Sequence, residues 1–528
     1  MPLPTADTPW PPTALRVQVA LADWDAWYSA DPDRLEQRYE DRGYRTEGPP
    51  NRPAQYAHGW RGRLARWFWG QPTTAGEKRS KLHVPLAGDI ARASSELLFS
   101  EPPKLLGAND ATKDRLDQLT EGGLHPTLLE AGEVCAAIGG AYLRVVWDED
   151  VSDRPWIDVV AGDRAVPEFR YGRLVAVTFW TVLPNDSSTD QRVFRHLERH
   201  EKGRIYHGLY EGGLTSLGAP RPLADHPATA PLAAEVDAEG GLGTGAPDHL
   251  TAAYVPNVRP ARGWRHIPSA AYLGQSDFQG IEGLMDALDE TYSSWMRDIQ
   301  TGKGRVIVAD SLLQSAGPGK GATWDEEKKI FTGLNMLPRP GDADPISIVQ
   351  FEIRVAEHRE TCAALRDEAV RQAGYSASTF GQQGEGSAVT ATEIRARDRR
   401  SLSTRARKAL YWRPAISDIL GALLAVEAGP RFGVDGLDTE PPRVEFGDSV
   451  TEGPVELATT AELLRRAEAA STETLVRLTN PGFDEKQVQA EAERILQESG
   501  RDVADPTRTG AGGVPNAGVP SDGGGSGP

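Results

Sequence analysis

An apolar repeat over 278–299 limits what this chain can fold into more than any other sequence feature. Its steps alternate between three and four residues, and it consists of Phe278, Ile281, Met285, Leu288, Tyr292, Trp295 and Ile299. This spacing predicts a helix about 33 Å long with one narrow apolar seam. Because so narrow a seam cannot form a stable domain alone, we expect it to pack against other helices, including those of further copies of the chain.

A second helix and a loop follow this first helix. An apolar stripe that includes Val355 and Cys362 predicts a helix over 354–374. Between the two helices, the runs RVIVAD, KIFTG and ISIVQFEI predict strands around the glycine loop at 317–321. Residues 374–390 hold four glycines and little apolar mass, which predicts a mobile loop. Two helices therefore flank one small β unit and lead into a loop.

The N-terminal half combines helices with a sheet. Helical spacing covers 15–40 and 80–100, whereas short β-branched and aromatic runs after Gly139 predict antiparallel strands. The segment 218–250 is rich in Ala, Pro and Gly and is predicted to be a flexible insertion. The chain is therefore assigned to the α+β class.

A helix that begins at Ala391 is the one strongly basic element. Between 393 and 413 it carries eight Arg or Lys residues against two acidic ones. Phosphate contact and pairing with the acidic helices at 455–499 both remain open as its role. The side chains singled out for such contacts are Arg395, Arg399, Arg400, Arg405 and Lys408.

Composition and motifs argue against an enzyme and against a membrane protein. The formal net charge of −18 disfavours general attraction to phosphates or anionic lipid, and two distant cysteines exclude a thiolate metal cluster. No run approaches the roughly 18–20 apolar residues of a membrane span. The glycine loop lacks the residues of a phosphate-binding motif, so it predicts a hairpin turn. We expect no catalytic residue, metal or cofactor.

Two histidines are candidate metal ligands. His196 and His200 are four residues apart, which suits zinc on a helix, but the surrounding alternation predicts a strand. In a strand this spacing separates them by roughly 13 Å. We interpret them as solvated hairpin histidines.

Several motifs resemble those of tailed-bacteriophage portal proteins, in the group similar to the Gp6-type portal. They are YVPN (254–257), LGQSDFQGIEGL (273–284), the ALDE that follows it, and TATEIR (390–395). The order of predicted parts also resembles that family over about residues 15–500. The implied parts are a wing (1–276), stem helices (277–300 and 354–374), a clip (303–350), a tunnel loop (375–390), a kinked wing helix with the following strand (391–451), a crown (452–500) and a disordered tail (501–528).

The resemblance implies a function as well as a fold. Such a chain forms a ring, expected to be a dodecamer, at one capsid vertex, where a separate terminase motor packages double-stranded DNA through it. The ring then retains the DNA, passes it at ejection and receives the head-tail connector. Further implied partners are the major capsid and scaffolding proteins. The implied location is the virion, with the host cytoplasm during assembly.

The tunnel loop is the part expected to meet DNA. Phe380 is predicted to anchor it, and the residues expected to face the channel are Gln382, Gln383, Glu385 and Ser387. Because the loop has no Lys or Arg, we expect steric or polar contacts with DNA. Two alternatives remain: another connector or minor capsid ring protein, and an enzyme with an unrecognised acidic site.

Overall fold

The structure is a computed structural model. It describes residues 3–41 without 6, 82–184, 192–301, 305–308, 314–315, 322–323, 346–349, 354–381, 391–447, 454–480, 483 and 485–498. The chain divides into two compact units, at 1–447 and 448–528.

Runs of helices and antiparallel strands follow one another along the chain, which confirms the α+β class. The helices are α1 (Leu15–Tyr28), α2 (Pro32–Asp41), α3 (Leu86–Phe99), α4 (Asp110–Leu119), α5 (His125–Ile138), α6 (Glu282–Thr301), α7 (Val355–Ala373), α8 (Ala391–Ala428), α9 (Pro454–Arg466), α10 (Thr472–Thr479) and α11 (Glu485–Glu498). The first strands are β1 (Lys104–Leu106), β2 (Gly140–Val146), β3 (Trp156–Ala161), β4 (Ala165–Arg170), β5 (Arg173–Leu183), β6 (Val193–Glu201) and β7 (Arg204–Gly212). The later strands are β8 (Ala219–Arg221), β9 (Gly241–Gly243), β10 (Ala252–Pro256), β11 (Arg305–Val308), β12 (Gln314–Ser315), β13 (Ala322–Thr323), β14 (Ile346–Val349) and β15 (Arg443–Glu445).

Two antiparallel sheets form the β part of the larger unit. One has the order β4-β5-β6-β7-β8, with β9 also paired to β7, and the other has the order β10-β2-β3. Smaller pairs join β1 to β15, β11 to β14 and β12 to β13. The β12–β13 pair flanks the glycine loop at 317–321, which itself lies outside the described residues.

The segment 218–250 differs from the predicted flexible insertion. It contributes β8 and β9 to the large sheet, and Leu242 and Thr229 are buried. A few well-placed apolar groups and backbone pairing hold a segment whose composition alone predicts a loop. Composition averages over a window and therefore misses single anchoring residues.

Two apolar clusters hold the helices of this unit together. One joins α1, α3, α6 and α7, and the other packs α3, α5 and the apolar part of α8 onto β2, β3 and β10. The stretch Asp398–Ala428 of α8 is long and apolar enough to cross a membrane by length and composition. Most of its apolar surface is covered by the second cluster, as in the core helix of a soluble protein.

The apolar seam of α6 packs mainly inside the chain. Phe278, Ile281, Met285 and Leu288 are buried in the first cluster, so this part of the seam packs against helices of the same chain. The helix begins at Glu282 and not at 277, because Gly280 has φ +94°. This left-handed conformation prevents the helix from extending towards residue 277.

The part of the smaller unit that the structure describes contains three short helices. α9, α10 and α11 follow one another, and a small core of Val476, Val488 and Ala492 joins the last two. Ser471 caps α10 by accepting a hydrogen bond from the backbone N–H of Thr474.

His200 and His207 are buried and His196 is half-buried, which corrects the interpretation of His196 and His200 as solvated. His200 is fully buried and lies against Thr251, with 2.8 Å between Nδ1 and Oγ1, while His196 lies 3.2 Å from His207. Burial lowers the pKa of His207 to about 4. Burial alone would raise the pKa of Glu198, but Arg144 and His200 hold it well below its usual range.

We expect Leu288→Ala to destabilise the protein more than Met296→Ala, although both residues lie on α6. Leu288 is 2 % exposed and Met296 41 %. Loss of the buried side chain costs about 2–5 kcal/mol, and loss of the exposed one less than about 1 kcal/mol. Urea denaturation followed by circular dichroism measures both. Equal losses would contradict the placement of the seam.

We also expect stability to fall as the pH is lowered from 7 to 5, and His207→Gln to reduce that fall. The unfolded chain binds a proton at His207 near its ordinary pKa of about 6.5, whereas the folded chain resists protonation down to about 4. The stabilisation that His207 contributes is complete above about pH 7 and is lost as the pH falls from about 6.5 towards about 4. Thermal unfolding at both pH values measures it, with exposed His266→Gln as control; identical slopes for the wild type and His207→Gln would contradict it.

Candidate functional site

A buried ion pair lies at the junction between the two stem-candidate helices α6 and α7 and the long helix α8. Asp277 precedes α6, Lys408 lies on α8, and 2.6 Å separates the ammonium Nζ from the carboxylate Oδ2. Their side chains are 2 % and 1 % exposed. Lys408 also donates to Ser94 Oγ (2.6 Å) and to Tyr375 OH (2.9 Å), so all three ammonium hydrogens have acceptors.

The carboxylate of Asp277 is equally well satisfied. Tyr375 OH donates to Oδ2 at 2.7 Å, and Asn257 Nδ2 donates to Oδ1 at 2.8 Å. Burial, followed by the nearby negative charge of Asp277, raises the pKa of Tyr375 well above its usual range, so this phenol stays protonated as a donor. The pair is therefore a closed, fully hydrogen-bonded cluster.

Two of the motifs that carry the portal resemblance contribute Asn257 and Asp277 to this cluster. Asn257 ends YVPN and Asp277 lies in LGQSDF, and the two segments meet where α5 ends at Gly139. A Cβ on Gly274 would lie 2.2 Å from the carbonyl oxygen of Gly139, so only glycine fits there. Gly274 N–H donates to Tyr254 OH at 2.8 Å, which fixes the first motif against the second.

A polar face of α8 holds the segment that follows α7. Thr404 Oγ1 donates to the carbonyl of Gly374 at 2.6 Å, Ser401 Oγ accepts from Ser376 N–H at 2.9 Å, and Asp398 accepts from Ser378 Oγ. Together with Lys408, these residues step by three, three and four along one face of the helix. The start of the predicted tunnel loop is thus attached to α8 over more than two helical turns.

The structure places only part of the predicted tunnel loop. Ala377–Phe380 forms a short 3-10 helix, and Phe380 packs against the first apolar cluster with its ring 6.3 Å from that of Tyr375. The other predicted loop residues, Gln382, Gln383, Glu385 and Ser387, lie outside the described residues.

The distal seam residues form the outer part of the α6–α7 pair. Tyr292 and Trp295 are half-buried, Trp295 stacks on His358 of α7 with 6.0 Å between ring centroids, and Ile299 is 39 % exposed. His358 Nε2 also lies 2.8 Å from a carboxylate oxygen of Asp298. The end of the pair remote from the ion pair is thus more polar and more exposed.

Two of the five basic residues predicted for phosphate or crown contacts are used inside the chain. Lys408 belongs to the ion pair, and Arg405 donates to the carbonyls of Leu97 (2.6 Å) and Gly447. Both side chains therefore make their contacts inside the chain, which corrects the prediction that they are available for phosphate or crown contacts. Arg399 and Arg400 are exposed on α8, and the side chain of Arg395 lies outside the described part of the structure.

The cluster of Asp277, Tyr375 and Lys408 is not predicted from the sequence. A polar stripe of Asp398, Ser401, Thr404 and Lys408 at helical spacing could have indicated it, but the net charge of the helix alone does not show this stripe. Among the residues that the structure describes, no group of three or more His, Cys, Asp or Glu is placed to hold a metal ion.

The architecture is that of two paired helices with a small β unit between them along the chain, followed by a long helix that contains Pro414. Residues 269–504 match the family model "Phage portal protein, SPP1 Gp6-like", and this confirms the resemblance to that portal family. The match includes Asp277, Tyr375 and Lys408. This similarity supports a portal or connector role in a virion.

No curated protein matches the chain. Solved structures similar to it include the neck of a native gene transfer agent particle with C12 symmetry, at 15% identity and a TM-score of 0.36, covering 75% of this chain and 89% of that chain. The neck of the empty particle with C6 symmetry has 15% identity, a TM-score of 0.38 and coverage of 76% and 91%. The virion of the native particle has 14% identity, a TM-score of 0.34 and coverage of 79% and 98%.

We expect Lys408→Met to destabilise the protein by about 3–5 kcal/mol, because it leaves the carboxylate of Asp277 buried without its counter-ion. The double variant Lys408→Met with Asp277→Asn recovers part of this loss, since no buried charge remains. Arg399→Met, on the exposed side of α8, is the matched control. Chemical denaturation measures all four proteins; a single variant as stable as the control would show that the pair does not support the fold.

Proposed function

We propose that the chain is the portal protein of a tailed-phage-type particle, a ring at one capsid vertex that conducts double-stranded DNA. In this proposal α6 and α7 are the stem, 303–350 is the clip, 375–390 is the tunnel loop, α8 is the kinked wing helix, and 452–500 is the crown. Residues 1–276 are the wing.

The attachment of 374–380 to α8 is the observation that carries this proposal. The loop leaves a clamped segment at Gly381 and re-enters the helix at Ala391, so only a short stretch spans two fixed ends. Such a stretch can project into a channel while its base stays in place. Its lack of Lys and Arg suits a surface past which DNA moves, because phosphate neutralisation strengthens binding with every contact.

DNA packaging, retention and ejection follow from that placement. A separate terminase large subunit supplies the ATP hydrolysis, and the head-tail adaptor binds at the clip. The capsid and scaffolding proteins surround the ring during assembly in the host cytoplasm. Phe380 anchors the loop, and Gln382, Gln383, Glu385 and Ser387 line the channel.

We expect the purified chain to form rings with a central hole and to hydrolyse no ATP. Negative-stain microscopy and a phosphate-release assay measure these properties, with a terminase motor as positive control for the assay. A compact monomer would contradict the ring. Turnover by the ring alone would contradict the division of labour between ring and motor.

A further inference from the structure

An arginine surface lies at one end of the larger unit of this acidic chain. It comprises Arg170 and Arg173 on the β4–β5 hairpin, Arg259, Arg262 and Arg265 on the loop after β10, and Arg407 on α8. We call this the arginine surface. Among the described residues none of these six side chains forms an ion pair, although Arg173 lies close enough to Asp418 to counteract the rise in that carboxyl's pKa caused by burial.

Aromatic contacts unite the three segments. Gly172, at the hairpin tip, approaches Tyr272, since a Cβ there would lie 3.3 Å from its ring. The guanidinium of Arg259 lies 5.3 Å from the centre of the same ring, and Arg407 donates to the backbone carbonyl of Arg259. The hairpin, the loop after β10 and this turn of α8, which carry the six arginines, therefore meet at one surface.

Tyr171 projects from this surface. It is 96 % exposed at the tip of the hairpin, and it has φ +50°, a conformation uncommon for residues other than glycine. Arginine and tyrosine are the residue types most enriched at the centres of protein interfaces. An exposed tyrosine held among arginines thus fits a protein partner with an acidic surface.

The opposite end of the same unit provides such a surface. Asp114 and Asp117 on α4 and Asp150 in the β2–β3 turn are exposed, and Arg154 of that turn donates to Gln118 of α4 at 3.3 Å, which joins the two segments. Lys113 is the one exposed lysine on α4, and Val151, 70 % exposed, adds an apolar group beside Asp150. We call this the acidic surface.

Two elements show that these surfaces are at opposite ends. β2 pairs with β10 so that Gly140 faces Pro256, which places the arginine loop beyond one end of β2 and the acidic turn beyond the other. α8 runs from Arg407, at the arginine surface, to Glu427, which pairs with Arg115 of α4. Twenty helical residues span up to roughly 30 Å.

We propose that the arginine surface of one copy binds the acidic surface of the next copy around the ring. Unlike surfaces on opposite ends of one subunit make a heterologous contact, which is the type that closes into rings. This inference rests on the proposed ring, and it adds the residues that define the contact. A duplex is the competing occupant of the arginine surface, and the experiment separates the two.

The test uses two full-length variants with reversed charges. The first carries Arg170→Glu, Arg262→Glu and Arg265→Glu, and the second carries Asp114→Arg, Asp117→Arg and Asp150→Arg. The six side chains are exposed, so each variant retains the fold, which circular dichroism and thermal unfolding verify. The matched control replaces the same three arginines by lysine and keeps their charge.

We expect each variant alone to form rings at below about a tenth of the wild-type level, because like charges then face each other at every contact. An equimolar mixture restores rings, since each interface of an alternating ring then joins opposite charges. Mass photometry and negative-stain microscopy measure the ring fraction, and the lysine control stays at the wild-type level.

Other outcomes would overturn the inference. Rings at the wild-type level in both variants would exclude this contact, as would a mixture that fails to assemble or a lysine control that loses rings. Intact rings of the first variant in particles with less DNA would assign the arginine surface to the duplex. A wild-type chain that forms no ring would instead contradict the proposed function itself.

Discussion

The buried ion pair of Asp277 and Lys408 fixes the arrangement on which the larger unit depends. Its members and their partners come from five segments far apart in the chain: α3, the YVPN strand, the turn before α6, the residue after α7, and α8. Two charges at this depth are tolerated only when they face each other and every remaining donor and acceptor is satisfied. The cluster therefore admits one arrangement of those five segments.

This constraint explains how α6 and α7 fix the position of the segment that follows α7. Tyr375 begins the segment after α7, and its hydroxyl group belongs to the cluster, while Thr404 and Ser401 extend the attachment along α8. The end of α7 and the side of α8 thus move as one piece near the ion pair. The distal part of the α6–α7 pair, with Trp295 stacked on His358, lacks such a cluster among its described residues and is less constrained.

The sequence predicts the periodic parts of this fold and not the buried polar parts. Helical repeats and β-branched runs locate α6, α7 and the sheets because burial of a face leaves a periodic trace. The sequence predicts phosphate or crown contacts for Lys408 and Arg405, as for the exposed arginines, because a single sequence does not show which turn of a basic helix enters the core. For His200, the alternation predicts a strand but does not show which face of that strand is buried. Asp277 and Asn257 lie in the motifs that carry the family resemblance, but Lys408, the ion-pair partner of Asp277, is 131 residues away along the chain.

Three faces of α8 connect these features. Ile416, Ile419 and Leu423 face the second apolar cluster, the polar stripe from Asp398 to Lys408 holds the loop base, and Arg407 lies on the exposed arginine surface. Lys408 and Arg407 are neighbours, so the cluster inside the subunit and the surface proposed to contact the next subunit share one helical turn. A displacement of the loop base that rotates this turn moves both. If neighbouring copies meet at the arginine surface, α8 provides a mechanical link between the segment after α7 in one copy and the surface of the next copy.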